Sequence, residues 1–173
     1  QVLGSTINAQ DLFLNPGATL DLNGKSLTTG NLYTAGPTAA LPGSGGRLLN
    51  SNTGAVSDFV TIQNGATRDF PGQIVGRINL TKAGTATLAL HDSALYTGST
   101  TLLGGVLTLE DQATLGSTSE VVVRNGVLLW EDTGLLAFPN RVAQNIPIRL
   151  DGGAVAFNSR SGTDGIAQMG SLG

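Results

Sequence analysis

The chain carries a single histidine, His91, followed directly by Asp92 and Ser93, the three residue types of a hydrolytic relay. Such a relay needs the imidazole held between the acid and the hydroxyl. Neighbours on a strand point to opposite faces, so these three cannot form that line. A denser set of acids recurs further on. Superposing segments about 20 residues apart places His91, Glu110, Glu131 and Asn158 in one column. Asp92, Asp111, Asp132 and Ser159 fall in the next. Carboxylates stacked ~4.8 Å apart repel, and one of them should hold its proton more tightly. A Ca2+ ion on Glu110, Asp111, Glu131 and Asp132 would relieve that repulsion. Solvated corner residues account for the same pattern, because Asp and Asn favour turns after a strand. The Gly-Gly-x-Gly-x-Asp signature of calcium-binding solenoids is missing. Two carboxyls ~5 Å apart also match a retaining glycosidase in principle. A polysaccharide lyase would want clustered Asp, Lys and Arg, and the chain has only 2 lysines. The expectation is a protein that is not an enzyme, with no cofactor beyond Ca2+ at that column.

Aromatic residues suited to sugar stacking are Tyr33, Tyr96 and Trp130. Trp130 shares an inward column with Leu90, Leu109 and Phe157 and reads as core, and Tyr96 reads as structural. Tyr33 remains the free candidate. Thr85/Thr87 and Thr100/Thr101 do not continue in register, so no flat Thr array for ice binding exists. Arg47, Arg68, Arg77, Arg124, Arg141, Arg149 and Arg160 are scattered and read as surface pairs worth ~0–1 kcal/mol each. Arg124 is placed to pair across coils. Phosphate loops, dinucleotide fingerprints and zinc spacings are missing from the sequence.

The elements that would position these residues are strands. Charged residues make up 12% of the chain, about half the ordinary share, while glycine is 25 of 173 residues. Only 3 Glu and 2 Lys accompany 20 Thr, a poor helix source and a good source of strands and turns. Gly24, Gly46, Gly65, Gly84, Gly105, Gly126 and Gly153 are separated by 22, 19, 19, 21, 21 and 27 residues. Between them short strands recur: Ala86-Thr-Leu-Ala-Leu90, Val106-Leu-Thr-Leu109, Val127-Leu-Leu-Trp130 and Ala154-Val-Ala-Phe157. Their period-two alternation puts Leu88/Leu90, Leu107/Leu109, Leu128/Trp130 and Val155/Phe157 on one side, and stacking makes continuous apolar columns. The expected fold is all-β, a parallel β-helix or β-solenoid of about seven to eight coils, ~35 Å long. One domain spans 1–173, with looped insertions at 33–46 and 131–147. The strand-like start, Gln1–Asn8, shows no capping helix.

Five spaced motifs occur in order: Phe70-Pro-Gly-Gln-Ile-Val-Gly76, Leu80-Thr-Lys-Ala-Gly84, Thr87-Leu-Ala-Leu90, Tyr96-Thr-Gly-Ser-Thr100 and Gly105-Val-Leu-Thr-Leu109. Gly17-Ala-Thr-Leu-Asp-Leu-Asn-Gly24 and Leu150-Asp-Gly-Gly-Ala154 flank them. This succession resembles the autotransporter-associated β-strand repeat, also called the passenger-associated transport repeat. The resemblance implies a right-handed parallel β-helix in a large exported bacterial surface protein, where the repeat aids secretion or forms a stalk.

Net charge is −3, so no basic face awaits nucleic acid, and no apolar run approaches the ~20 residues of a membrane helix. Cysteine is absent, which removes disulfides and thiolate chemistry. Uncapped strand edges point to stacking on copies of itself or on flanking domains of the same polypeptide. The functional expectation is an extracellular or cell-surface stalk or filament segment. The alternative is an adhesin or carbohydrate-binding module that meets a surface glycan through the inserted loops.

Overall fold

The computed structural model describes residues 10–36, 40–162 and 167–173. The strand expected at Gln1–Asn8 and Pro37 of the first insertion lie outside the described residues. Among the described residues there is no helix, and none therefore long and apolar enough to cross a membrane. Every strand pairing is parallel. Parallel neighbours need a crossover between them, and here the crossover is the rest of the coil. From Arg68–Phe70 the chain enters a second sheet at Gln73–Gly76 and a third at Ile78–Ala83, then returns to the first at Thr87–Leu90. Repetition of that circuit stacks sheets of five, four and six strands, with a two-stranded pair, Leu12–Phe13 with Leu32–Tyr33, beside the first of them.

The register follows the glycine period. Arg68, Leu88, Leu107, Leu128 and Val155 are consecutive partners at steps of 20, 19, 21 and 27 residues. The last step contains the residues between Glu131 and Ile148. In the four-stranded sheet Leu20 pairs with Leu48, a step of 28 residues that contains Tyr33–Gly46. Leu48 then pairs with Ile74, a step of 26 that sequence reading did not anticipate. The excess sits in the corner after Asn50 and is built by side-chain amides rather than by a proline–glycine cluster. Asn50 Nδ2 donates to the carbonyls of Ala55 and Arg77, and Asn52 Oδ1 accepts from the amides of Gly54 and Ala55.

Alternation delivers the core. Phe70, Leu90, Leu109 and Trp130 form one column, and Leu88, Leu107 and Leu128 another, each essentially inaccessible. Burying side chains of this size contributes roughly 1.5–3 kcal/mol each. Trp130 is core, as its column predicts. Coils approach closely where glycine allows. At Gly84, φ is +82° and an added Cβ would lie 2.1 Å from the Gln63 carbonyl oxygen, which only glycine tolerates.

Several buried polar side chains find partners inside the coil, whereas Ser57 Oγ, Gln63 Oε1, Arg68 Nε and Trp130 Nε1 are buried without one. Lys82, fully buried, donates from Nζ to the carbonyls of Gly84, Ala86 and Gly104. Burial pulls its pKa down to about 8, which still leaves an ammonium at neutral pH. Tyr96 is inaccessible, and its hydroxyl lies 2.6 Å from Thr100 Oγ1, itself 3.1 Å from Thr118 Oγ1. Tyr96→Phe is expected to cost about 1–2 kcal/mol, the loss of one buried hydrogen bond. A urea titration checks it, and an unchanged midpoint would show that the hydroxyl chain contributes nothing.

Candidate functional site: a buried histidine and its carboxylates

The residue with most chemical potential sits just past the end of Thr87–Leu90. His91 is 2% exposed. Its Nδ1 lies 2.8 Å from Asp111 Oδ2 and its Nε2 lies 3.0 Å from Asp69 Oδ1. The contact joins three successive coils, because Asp69 precedes His91 by 22 residues and Asp111 follows it by 20. Asp111 reaches inward from a left-handed turn, φ +51°, a conformation Asp tolerates better than most residues. Two ionised carboxylates at these distances are both satisfied only when each ring nitrogen carries a proton, so the arrangement favours the imidazolium. Burial works against that charge, but the hydrogen bonds that the ring donates to both aspartates and the charge of the nearby Glu110 outweigh it and raise the pKa above the ordinary histidine value. With both nitrogens engaged the ring has no lone pair free to act as a base.

His91, Asp92 and Ser93 do not form a relay. Asp92 Oδ1 accepts the Ser93 amide at 2.7 Å, and Ser93 Oγ donates to the Gln112 carbonyl at 3.1 Å. Asp92 borders an open groove of about 310 Å³ lined mainly by glycine backbone, with Arg47 and Gln73 beside it.

Three members of the first column, Glu110, Glu131 and Asn158, are consecutive partners as their spacing predicts, whereas His91 lies just past the end of its ladder, where Leu90 pairs with Leu109. Burial raises the Glu110 pKa, opposed by His91 and assisted by the charges of Asp111 and Glu131. Burial also acts on Glu131, but hydrogen bonds from Thr133 and Asn158 outweigh it and lower its pKa. Two directly stacked acids thus shift in opposite directions. The second column does not form as a carboxylate stack. Asp111 turns to His91, whereas Asp132 turns to Arg141, with Oδ1 2.8 Å from Nε and 2.5 Å from Nη2. Both are committed to cationic partners. Among the described residues no group of three or more His, Asp or Glu side chains could hold a metal ion.

Arg141 corrects the reading that placed it among surface arginines. It is fully buried, and besides Asp132 it donates to the carbonyls of Asp111, Ala113, Glu131 and Leu136. Those bonds fasten the segment after Glu131 onto the coil below. A lone arginine in a loop gives no sequence signal of burial, and neither does Asp69, whose contact with His91 runs diagonally between coils. Arg124 does approach an acid of the next coil, 4.0 Å from Asp151, in an exposed contact.

Over 118 residues the chain is 33% identical to a protein named "Adhesin BmaC autotransporter" of Brucella suis biovar 1 (strain 1330). That alignment takes in 68% of this chain, which spans only 3% of the length of the relative it matches. No family model matches the chain, and no solved structure matches it. The likeness supports an autotransporter-related, passenger-like region.

Proposed function

We propose that this chain is a rod segment of a bacterial surface protein, a stalk-forming stretch whose coil edges stack on further coils. The carrying observation is the uninterrupted parallel ladder. The last strand of the five-stranded sheet, Ala154–Asn158, pairs with Val127–Glu131 on one side and has no partner on the other among the described residues. An edge strand of this kind is a template for another strand, and head-to-tail contacts that do not close generate filaments. In this reading the coils number about seven to eight, wind right-handed as parallel crossovers do, and carry the passenger-associated repeat over Phe70–Leu109.

Electron microscopy with light scattering across a concentration series tests it. Filaments with a repeat near ~35 Å, set by coils ~4.8 Å apart, are expected if the edges take further copies. A monomer at every concentration would overturn self-stacking and leave a stalk continued only by its own polypeptide. A second reading, an adhesin segment, draws support from the name of the relative and from the exposed apolar side chains Leu135, Leu136 and Phe138 in the segment after Glu131.

A further inference from the structure

At one end of the stack the outward side chains change character. Phe13 and Tyr33 are register partners in the first two-stranded pair, and their rings meet at 4.3 Å with 55° between planes, a shallow V. Phe13 is 51% exposed. The guanidinium of Arg68, from the next coil, lies 4.4 Å from the centre of the Tyr33 ring. Arg68 has no ion pair among the described residues, and its Nε is buried without a hydrogen-bond partner. The nearest acids in sequence have other partners: Asp69 meets His91, and Asp58 accepts from Asn79. Among the described residues the Tyr33 ring is the cation's partner, although a partly buried charge normally finds a counterion.

We infer that Phe13, Tyr33 and Arg68 form a binding site for an acidic carbohydrate. A pyranose lays its C–H face on the exposed Phe13 ring, which the partly buried Tyr33 backs, while its carboxylate meets the outer nitrogens of Arg68 end-on, a geometry guanidinium favours. Both features are needed: rings alone take neutral sugars, and a cation alone takes any anion. The site lies in the first described coils, at the end of the stack opposite Ala154–Asn158.

The test is calorimetric titration of this chain with a short oligogalacturonate, against the uncharged galactose oligomer of equal length and a Glu-rich peptide. Binding of the oligogalacturonate alone is expected. Phe13→Ala and Tyr33→Ala should each weaken it about fivefold or more, the size of one such contact. Arg68→Gln should remove the preference for the charged sugar. Phe13→Ala alters an exposed ring and keeps the test decisive if an Arg68 variant fails to fold. No binding to the native chain, equal binding of the neutral oligomer, or preference for the peptide would each overturn the assignment.

Discussion

Arg141→Ala is expected to destabilise the chain by about 3–5 kcal/mol, the range for breaking a buried ion pair from one side. The residue is inaccessible, and its loss strands Asp132, itself 5% exposed, together with four backbone carbonyls that have no other donor of comparable strength. Stranded buried acceptors cost more than the net value of the bonds they made. Chemical denaturation of the variant beside Asp132→Asn and the double variant isolates the pair. The two single losses should add to more than the double loss, since either one already breaks the contact. A loss below ~1 kcal/mol for Arg141→Ala, the value of a surface pair, would refute the buried clamp. The segment that displays Leu135, Leu136 and Phe138 to solvent should also become more susceptible to proteolysis, because its backbone is held by Arg141 and Asp111.

The second large effect is at His91. His91→Gln should also cost about 3–5 kcal/mol, because it leaves the buried Asp111 carboxylate without its cation. The same contact makes native stability depend on pH. A histidine raised above its unfolded value of 6.5 contributes its full stabilisation below that value. The contribution disappears as pH rises through the folded pKa, when the imidazolium loses a proton and one aspartate loses its donor. The urea midpoint of the native chain should therefore fall relative to that of the glutamine variant as pH rises past 6.5, a comparison that cancels the opposite trend of Lys82, whose pKa is pulled down to about 8. A stability difference between the two proteins that does not shrink as pH rises would contradict a doubly paired imidazolium. The acids act at lower pH with opposite signs. Glu110, raised, contributes less as pH rises past the ordinary Glu range, whereas the contribution of Glu131, lowered, is lost as pH falls through its folded pKa.

Much of this architecture is legible along the chain. The glycine period and the alternation of Leu88/Leu90, Leu107/Leu109 and Leu128/Trp130 predict parallel strands, and the register pairs those residues coil upon coil. Strand alternation is a local property, so a short window reveals which side faces the core. For the same reason Glu110, Glu131 and Asn158 fall into line: they continue ladders that the sequence already aligns. The column built from Asp92, Asp111 and Asp132 fails because it lies past the ladders. There the backbone turns, as at Asp111, so Asp111 and Asp132 meet His91 and Arg141 and Asp92 meets the Ser93 amide, rather than each meeting its equivalent one coil away.

By itself, then, the sequence determined the all-β class, the repeat and the apolar columns, because each follows from residue types a fixed step apart. Tertiary structure alone decided which charges are buried and with whom. Asp69, His91 and Asp111 meet from three coils, Arg141 turns inward from a loop, and Arg68 comes to rest on Tyr33. The physical reason is that the energy of a charge depends on its distance from countercharge and water. At corners and insertions no periodic spacing fixes that distance, so it exists only once the coils are stacked.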